Sequence, residues 1–176
     1  MIDLDITELF EEIVKELPEG LEILYPNGKG GTKVMKSPRL NYIFGSSQYI
    51  KDILDEYSKS SAQSERKFPL VALFTPISED RGDADYFSKA KVSLIIACSS
   101  CKEWSNEMRR TTSFKNILRP IYKRLLEVLY EDSRFDCDYD EKVKHSYSEN
   151  YSYGRYGAYT DCLLYTSPSP RDRSVS

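Results

Sequence analysis

The sequence predicts an α+β domain, with helices packed on a mainly antiparallel sheet whose native C-terminal strand is missing. Three observations carry this expectation. Two apolar runs, Phe68–Phe74 (FPLVALF) and Lys89–Ala97 (KAKVSLIIA), have the length and near-continuity of strands buried on both faces. Amphipathic helical periodicity appears near both ends of the chain, over 4–17 and 113–131. The order helix, strand, short strand, helix, strand, strand, long helix lacks the βαβ alternation of a parallel sheet.

Each element has a local reason. Over 4–17, Leu4, Ile6, Leu9, Phe10, Ile13, Val14 and Leu17 fall near one face, opposite a glutamate-rich one. Asp5 or Thr7 can cap this helix, and Pro18 with Gly20 ends it. Leu21–Tyr25 is a short strand stopped by Pro26-Asn27-Gly28, and Gly28–Gly31 is a flexible turn. Leu40–Phe44 is a second short apolar run. Gly45-Ser46-Ser47 then opens a helix over about 47–59, with Tyr49, Ile50, Ile53, Leu54 and Tyr57 on one face. Residues 58–67 are a polar connection. The two buried-type strands form a hairpin with a long acidic connection, ISEDRGDADYF. The segment CSSCKEWSNEMRRTTS reads as irregular, and the longest helix follows over about 113–131, with Pro120 inside it as a kink or a shifted start. The Tyr- and Gly-rich stretch from His145 reads as loop with one strand.

The last fifteen residues, Cys162–Ser176, look like translated sequencing adapter. CLLYTSPSPRD reads back into codons that resemble the end and adapter arm of a transposase-based library, which predicts a gene assembled from short, environmental (metagenomic) reads. Asp161 falls on the junction. Residues 1–160 are therefore expected to be one structural domain, and 161–176 an artefactual tail to be left out of fold reasoning.

Composition bounds the function. About 160 residues suit one domain. The formal charge is −3, and removing Arg171, Asp172 and Arg173 takes it to −4. No basic excess points to sequence-specific nucleic-acid binding. No apolar run approaches the roughly 18 residues of a membrane span, and the acidic, amphipathic start is unlike a secretory signal. Fourteen tyrosines supply amphipathic contact area suited to protein interfaces. Without Cys162 three cysteines remain, an odd count that suits reduced thiols.

The chemistry-bearing constellations all favour plain readings. Gly28–Lys33 has phosphate-loop ingredients but lacks the G-x-x-x-x-G-K-[ST] spacing and a helix after it. Cys98-x-x-Cys101 has only Cys137 and His145 as further zinc ligands, at long spacing, so two ordinary thiols at a strand end are favoured. The acidic loop Glu79-Asp80-Arg81-Gly82-Asp83-Ala84-Asp85 could hold magnesium in a nuclease, but no Glu-x-Lys on a strand completes such a site. His145 has no nucleophile elbow to serve. No metal, cofactor or catalytic set is expected.

The stretch Phe68–Leu129 resembles a family of small structural proteins of tailed phages of Bacteroidetes-type hosts. The likeness lies in FPLVALFTPISEDRGDADYFSKAKVSLIIA, in Arg109-Arg110 before TTSFK, and in FKNILRPIYKRLLEVL. The opening helix and NYIFGSSQYIKDIL fit the same layout. The family is similar in size and element order to tail-terminator, tail-completion or head–tail joining proteins. Such a resemblance implies a non-enzymatic virion protein that forms a ring, commonly a hexamer, contacting copies of itself and tail-tube or neck proteins. It also implies that a final strand follows the Tyr/Gly segment. Glu79, Asp80, Arg81, Asp83, Asp85 and Tyr86 of the hairpin loop, with Arg109 and Arg110, are the expected subunit contacts. The rival is a metal-dependent nuclease using Asp80, Asp83 and Asp85.

Overall fold

A computed structural model describes residues 5–27, 29–60, 66–81, 88–101, 103–135, 145–151 and 160–166. The elements in chain order are α1 (Ile6–Glu16), β1 (Glu22–Pro26), β2 (Thr32–Lys36), β3 (Asn41–Gly45), α2 (Ser47–Tyr57), β4 (Leu70–Phe74), β5 (Ser78–Arg81), β6 (Ser88–Lys91) and β7 (Ser93–Ser99). A continuous helical stretch follows: α3 (Asn106–Arg109), a π-helical segment (Arg110–Leu118) and α4 (Arg119–Glu131). Strands β8 (Ser146–Asn150) and β9 (Thr160–Thr166) close the fold.

The main sheet has the order β3-β4-β7-β9-β8, antiparallel except for the parallel pair β3–β4. The α+β expectation therefore stands. Two separate two-stranded ribbons, β1–β2 and β5–β6, extend from it. Helix α2 covers one face of the sheet, where Ile50 and Leu54 meet Ile43, Leu70, Ala72, Ile95, Ala97 and Cys162. The other face carries α1, the π segment, α4 and β1 over a larger core that includes Phe10, Ile13, Leu73, Leu94, Phe114, Leu125 and Leu163. Buried β4 and β7 alternate between the two cores, which explains their nearly unbroken apolar sequences.

Local chemistry sets the boundaries. Asp5 and Glu8 form a reciprocal capping box at the start of α1: the Glu8 amide donates to Asp5 Oδ1 at 2.9 Å and the Asp5 amide to Glu8 Oε2 at 3.1 Å. Ser46 caps α2 through the Tyr49 amide. Ser105 caps α3 through the Met108 amide, so the helix begins at Asn106, inside the stretch expected to be irregular. Pro120 falls in the first turn of α4, where its missing N–H costs nothing in the ladder; the wide π turns lie just before it, and the Arg119 amide reaches back to Phe114 O.

Two strand expectations need correction. The run Lys89–Ala97 is two strands, with Val92 between β6 and β7. Thr32–Lys36, passed over in the sequence, is β2; every residue in it is exposed, so no buried face marks it. In the turn joining β1 to β2, Asn27 Oδ1 accepts from the Lys29 and Gly31 amides at 2.9 and 3.1 Å, and Gly30 takes φ +80°. Those amides face Asn27 and form no phosphate cradle.

The place expected to stand empty beyond Thr160 is occupied. Strand β9 lies between β7 and β8, pairing Ala97 with Cys162 and Ile96 with Leu163 on one side, and Asn150 with Cys162 on the other. Leu163 and Tyr165 enter the larger core, and Cys162 the smaller one. The folded unit thus runs past the Thr160 boundary to Thr166. Leu163 is fully enclosed, so Leu163→Ala should cost about 2–5 kcal/mol in a urea melt. A loss below about 1 kcal/mol would mean that β9 is not packed in the core.

Candidate functional site

The most distinctive polar arrangement is interior. Arg109 at the end of α3 and Asp161 on β9 are both fully buried, with Arg109 Nη2 2.5 Å from Asp161 Oδ1. Arg109 Nη1 also donates to the Tyr151 carbonyl. Tyr151 in turn lies against Phe114, its ring centroid 4.5 Å away. One guanidinium thus ties the helical stretch to β9 and to the chain end of β8. Burial pushes the Cys98 thiol far up, so it stays protonated. Cys98 is consequently an inert core thiol. Cys101 is half-buried and donates to Glu103 Oε2 at 2.8 Å. Cys98, Cys101 and Cys162 are free thiols.

A second polar network clamps β8 to the helical stretch. Arg119 Nε and Nη2 donate to the two Glu149 oxygens at 2.6 and 3.0 Å, a forked pair. The Tyr147 hydroxyl donates to Glu149 Oε1 at 2.5 Å and Tyr151 to Oε2 at 3.2 Å. The Arg119 guanidinium therefore holds the Glu149 carboxyl below the usual carboxylate range, burial opposing it more weakly. His145 stacks on Tyr165 at 4.5 Å between centroids and meets the Tyr122 hydroxyl. It is a packed aromatic joint between β9 and α4.

These positions revise the expected contact residues. Arg109 has no exposed surface, so it cannot present a contact face to another subunit; its burial against Asp161 gives it an internal role. Arg110, in contrast, is exposed and pairs with Glu107 at 2.5 Å. Glu79 is exposed on β5. Asp80 and Arg81 lie on the same ribbon, opposite Lys89 and Ser88 of β6. Asp83, Asp85 and Tyr86 lie outside the described residues. Among the described residues no cluster of three or more His, Cys, Asp or Glu side chains is placed to hold a metal ion. Among them, too, no helix is long and apolar enough to cross a membrane.

The surface offers a different feature that sequence reading missed. Strand β3 has β4 on one side and no strand on the other among the described residues. Along that open edge, between α1 and α2, runs a groove of about 460 Å³. Its walls include Tyr42, Phe44, Tyr49, Ile53 and Tyr57, with Glu11 from α1. Phe44 and Tyr49 are about half exposed, at 48% and 51%. Gly45 takes φ +150°, and a Cβ there would come 2.5 Å from Tyr49 Cδ1, so glycine is what lets the Tyr49 ring lie against the strand end. The signal was present in the spacing Tyr49-Ile53-Tyr57, one helix stripe that the periodicity assigned to the core.

Two outcomes follow for the polar networks. Asp161→Asn leaves the Arg109 charge enclosed without its counter-ion and should cost about 3–5 kcal/mol, whereas the paired Arg109→Met, Asp161→Leu change should cost much less; equal losses would deny the pair. Glu149, with its folded pKa depressed, stabilises the fold above its unfolded value of about 4.3, and that contribution is lost as pH falls through the lower folded value. Glu149→Gln should therefore flatten the stability profile below about pH 4.5; an unchanged acid limb would refute the clamp.

No family model matches the chain, and no curated protein matches it, so its own geometry has to carry the functional reading.

Proposed function

We propose that this chain is a structural virion protein that assembles into a ring at the tail-tube end or head–tail junction of a tailed phage, without enzymatic chemistry of its own. The observation that carries the reading is the distribution of exposed large apolar side chains. Val34 and Met35 on β2, Phe44 on β3 and Tyr49 on α2 stand 38–51% exposed, while the polar chemistry, Arg109–Asp161 above all, is turned inward. Exposed apolar side chains on the β1–β2 ribbon and beside the β3 edge suit association with other protein surfaces, and Met108, Tyr130 and Tyr147 are exposed elsewhere. A ring of identical subunits needs two different complementary surfaces on each copy, and a ribbon and a groove are two such surfaces. The resemblance of Phe68–Leu129 to tail-completion proteins supplies the biological setting, and the acidic balance accords with protein partners over nucleic acid.

Negative-stain microscopy and light scattering of the full chain test the reading. Closed rings of one size, hexamers foremost, are the expected result. A monomer that persists at high concentration would contradict it, and magnesium-dependent cleavage of nucleic acid lost on Asp80→Ala would favour the nuclease rival.

A further inference from the structure

The β1–β2 ribbon and the β3 groove each expose apolar side chains beside charged ones. The register pairs Leu24 with Val34, between Glu22–Lys36 and Pro26–Thr32. These residues form the ribbon's outer face, opposite the one on which Ile23 is buried in the core. Val34 at its centre is 51% exposed, although the strand around it is otherwise threonine, lysine and one methionine. Strand β2 is also an outer edge, because its sheet contains two strands. It is five residues long, and so is the open edge of β3.

Charge favours the same match. The ribbon from Glu22 to Lys36 carries Lys29 in its turn and Lys36 on the Val34 face, where Lys36 lies 3.8 Å from Glu22; Lys33, opposite Tyr25, is on the other face. Helix α1 carries four glutamates against Lys15, and α2 carries Asp52, Asp55 and Glu56 against Lys51. Asp52 and Glu56 follow Tyr49 and Ile53 by three residues each, on the stripe that lines the groove. Glu11 forms part of the wall itself. A basic ribbon with an apolar centre thus faces an aromatic groove with an acidic rim. The other sheet edge, β8, differs: its exposed Tyr147 donates to Glu149, which Arg119 holds.

We propose that the β3 groove is the seat for the β1–β2 ribbon of a second copy of this chain. Val34 packs on Phe44 and Tyr49, β2 runs along the open β3 edge, and Lys29 and Lys36 meet the acidic groups Glu11, Asp52 and Glu56. The joint is head-to-tail, since ribbon and groove are different surfaces, and repeated rotation can close it into a ring. Main-chain pairing at the edge gives affinity, and the aromatic wall gives specificity. The inference rests on the ring reading above and adds to it the identity of the joint.

Complementation between two defective variants tests it. Val34→Asp breaks the ribbon but leaves the groove; Phe44→Asp breaks the groove but leaves the ribbon. In sedimentation velocity the unaltered full chain is expected to assemble, each variant to run as a folded monomer, and their equimolar mixture to give a heterodimer and nothing larger. Tyr49→Asp, on a helix surface, replaces Phe44→Asp if circular dichroism shows that variant unfolded. Assembly of the unaltered chain should also weaken as salt is raised, by about tenfold or more in dissociation constant, as the rim charges are screened. If the unaltered chain assembles and both variants still do, the joint lies elsewhere while the ring reading survives. Assembly lost in both variants with no heterodimer on mixing would also overturn the joint. A monomeric unaltered chain removes the joint and the ring together.

Discussion

The fold depends on strand β9, the last of the described elements, which sits between β7 and β8 in the sheet. Strand β9 must satisfy β7 on one side and β8 on the other, and fill both cores at once. Its alternation does this: Asp161, Leu163 and Tyr165 share the face toward the helical stretch, and Cys162 turns to the α2 side. The charged member of the first set is matched by Arg109, enclosed with it. A buried ion pair of this kind adds little net stability compared with an apolar pair, but it penalises every arrangement that separates the partners. Here it fixes which turn of the helical stretch lies over which residue of β9. Phe114 and Tyr151 then pack around that point.

With the interior so committed, the association proposed above falls to the periphery. The ribbon β1–β2 contributes one face to the core through Ile23 and offers the other outward through Val34. The sheet's two edges are treated differently. Strand β8 carries the Arg119–Glu149 clamp and Tyr147, a polar group on an edge strand. Among the described residues no strand pairs with the outer side of β3, which lies beside aromatic residues, and Gly45 leaves room for the Tyr49 ring there.

Much of this was legible in the sequence wherever burial imposes a period. Helix α1 emerged from its stripe, with Asp5 or Thr7 as its cap, and β4 from its continuous apolar run, because the core dictates those residues. What escaped notice lacks a buried period. Strand β2 is exposed throughout, so TKVMK reads as loop. The start at Asn106 is polar and only its Ser105 cap marks it. Arg109 looked like a surface charge because its partner Asp161 is distant in sequence, and pairing at a distance leaves no local trace. Codon arithmetic directed attention away from β9, yet the alternation of Asp161–Tyr165 is that of an interior strand. The groove stayed hidden because Tyr49 and Tyr57 fit a core stripe as well as a surface one.

Native-state hydrogen exchange on the β9 amides tests the central claim most directly. If β9 closes the sheet, Leu163 and Leu164 should exchange only through global unfolding, with the same free energy as Leu94–Ile96 of β7. Exchange of the β9 amides by a far cheaper opening, while β4 and β7 keep their protection, would show that the sheet stands without its last strand and contradict the account.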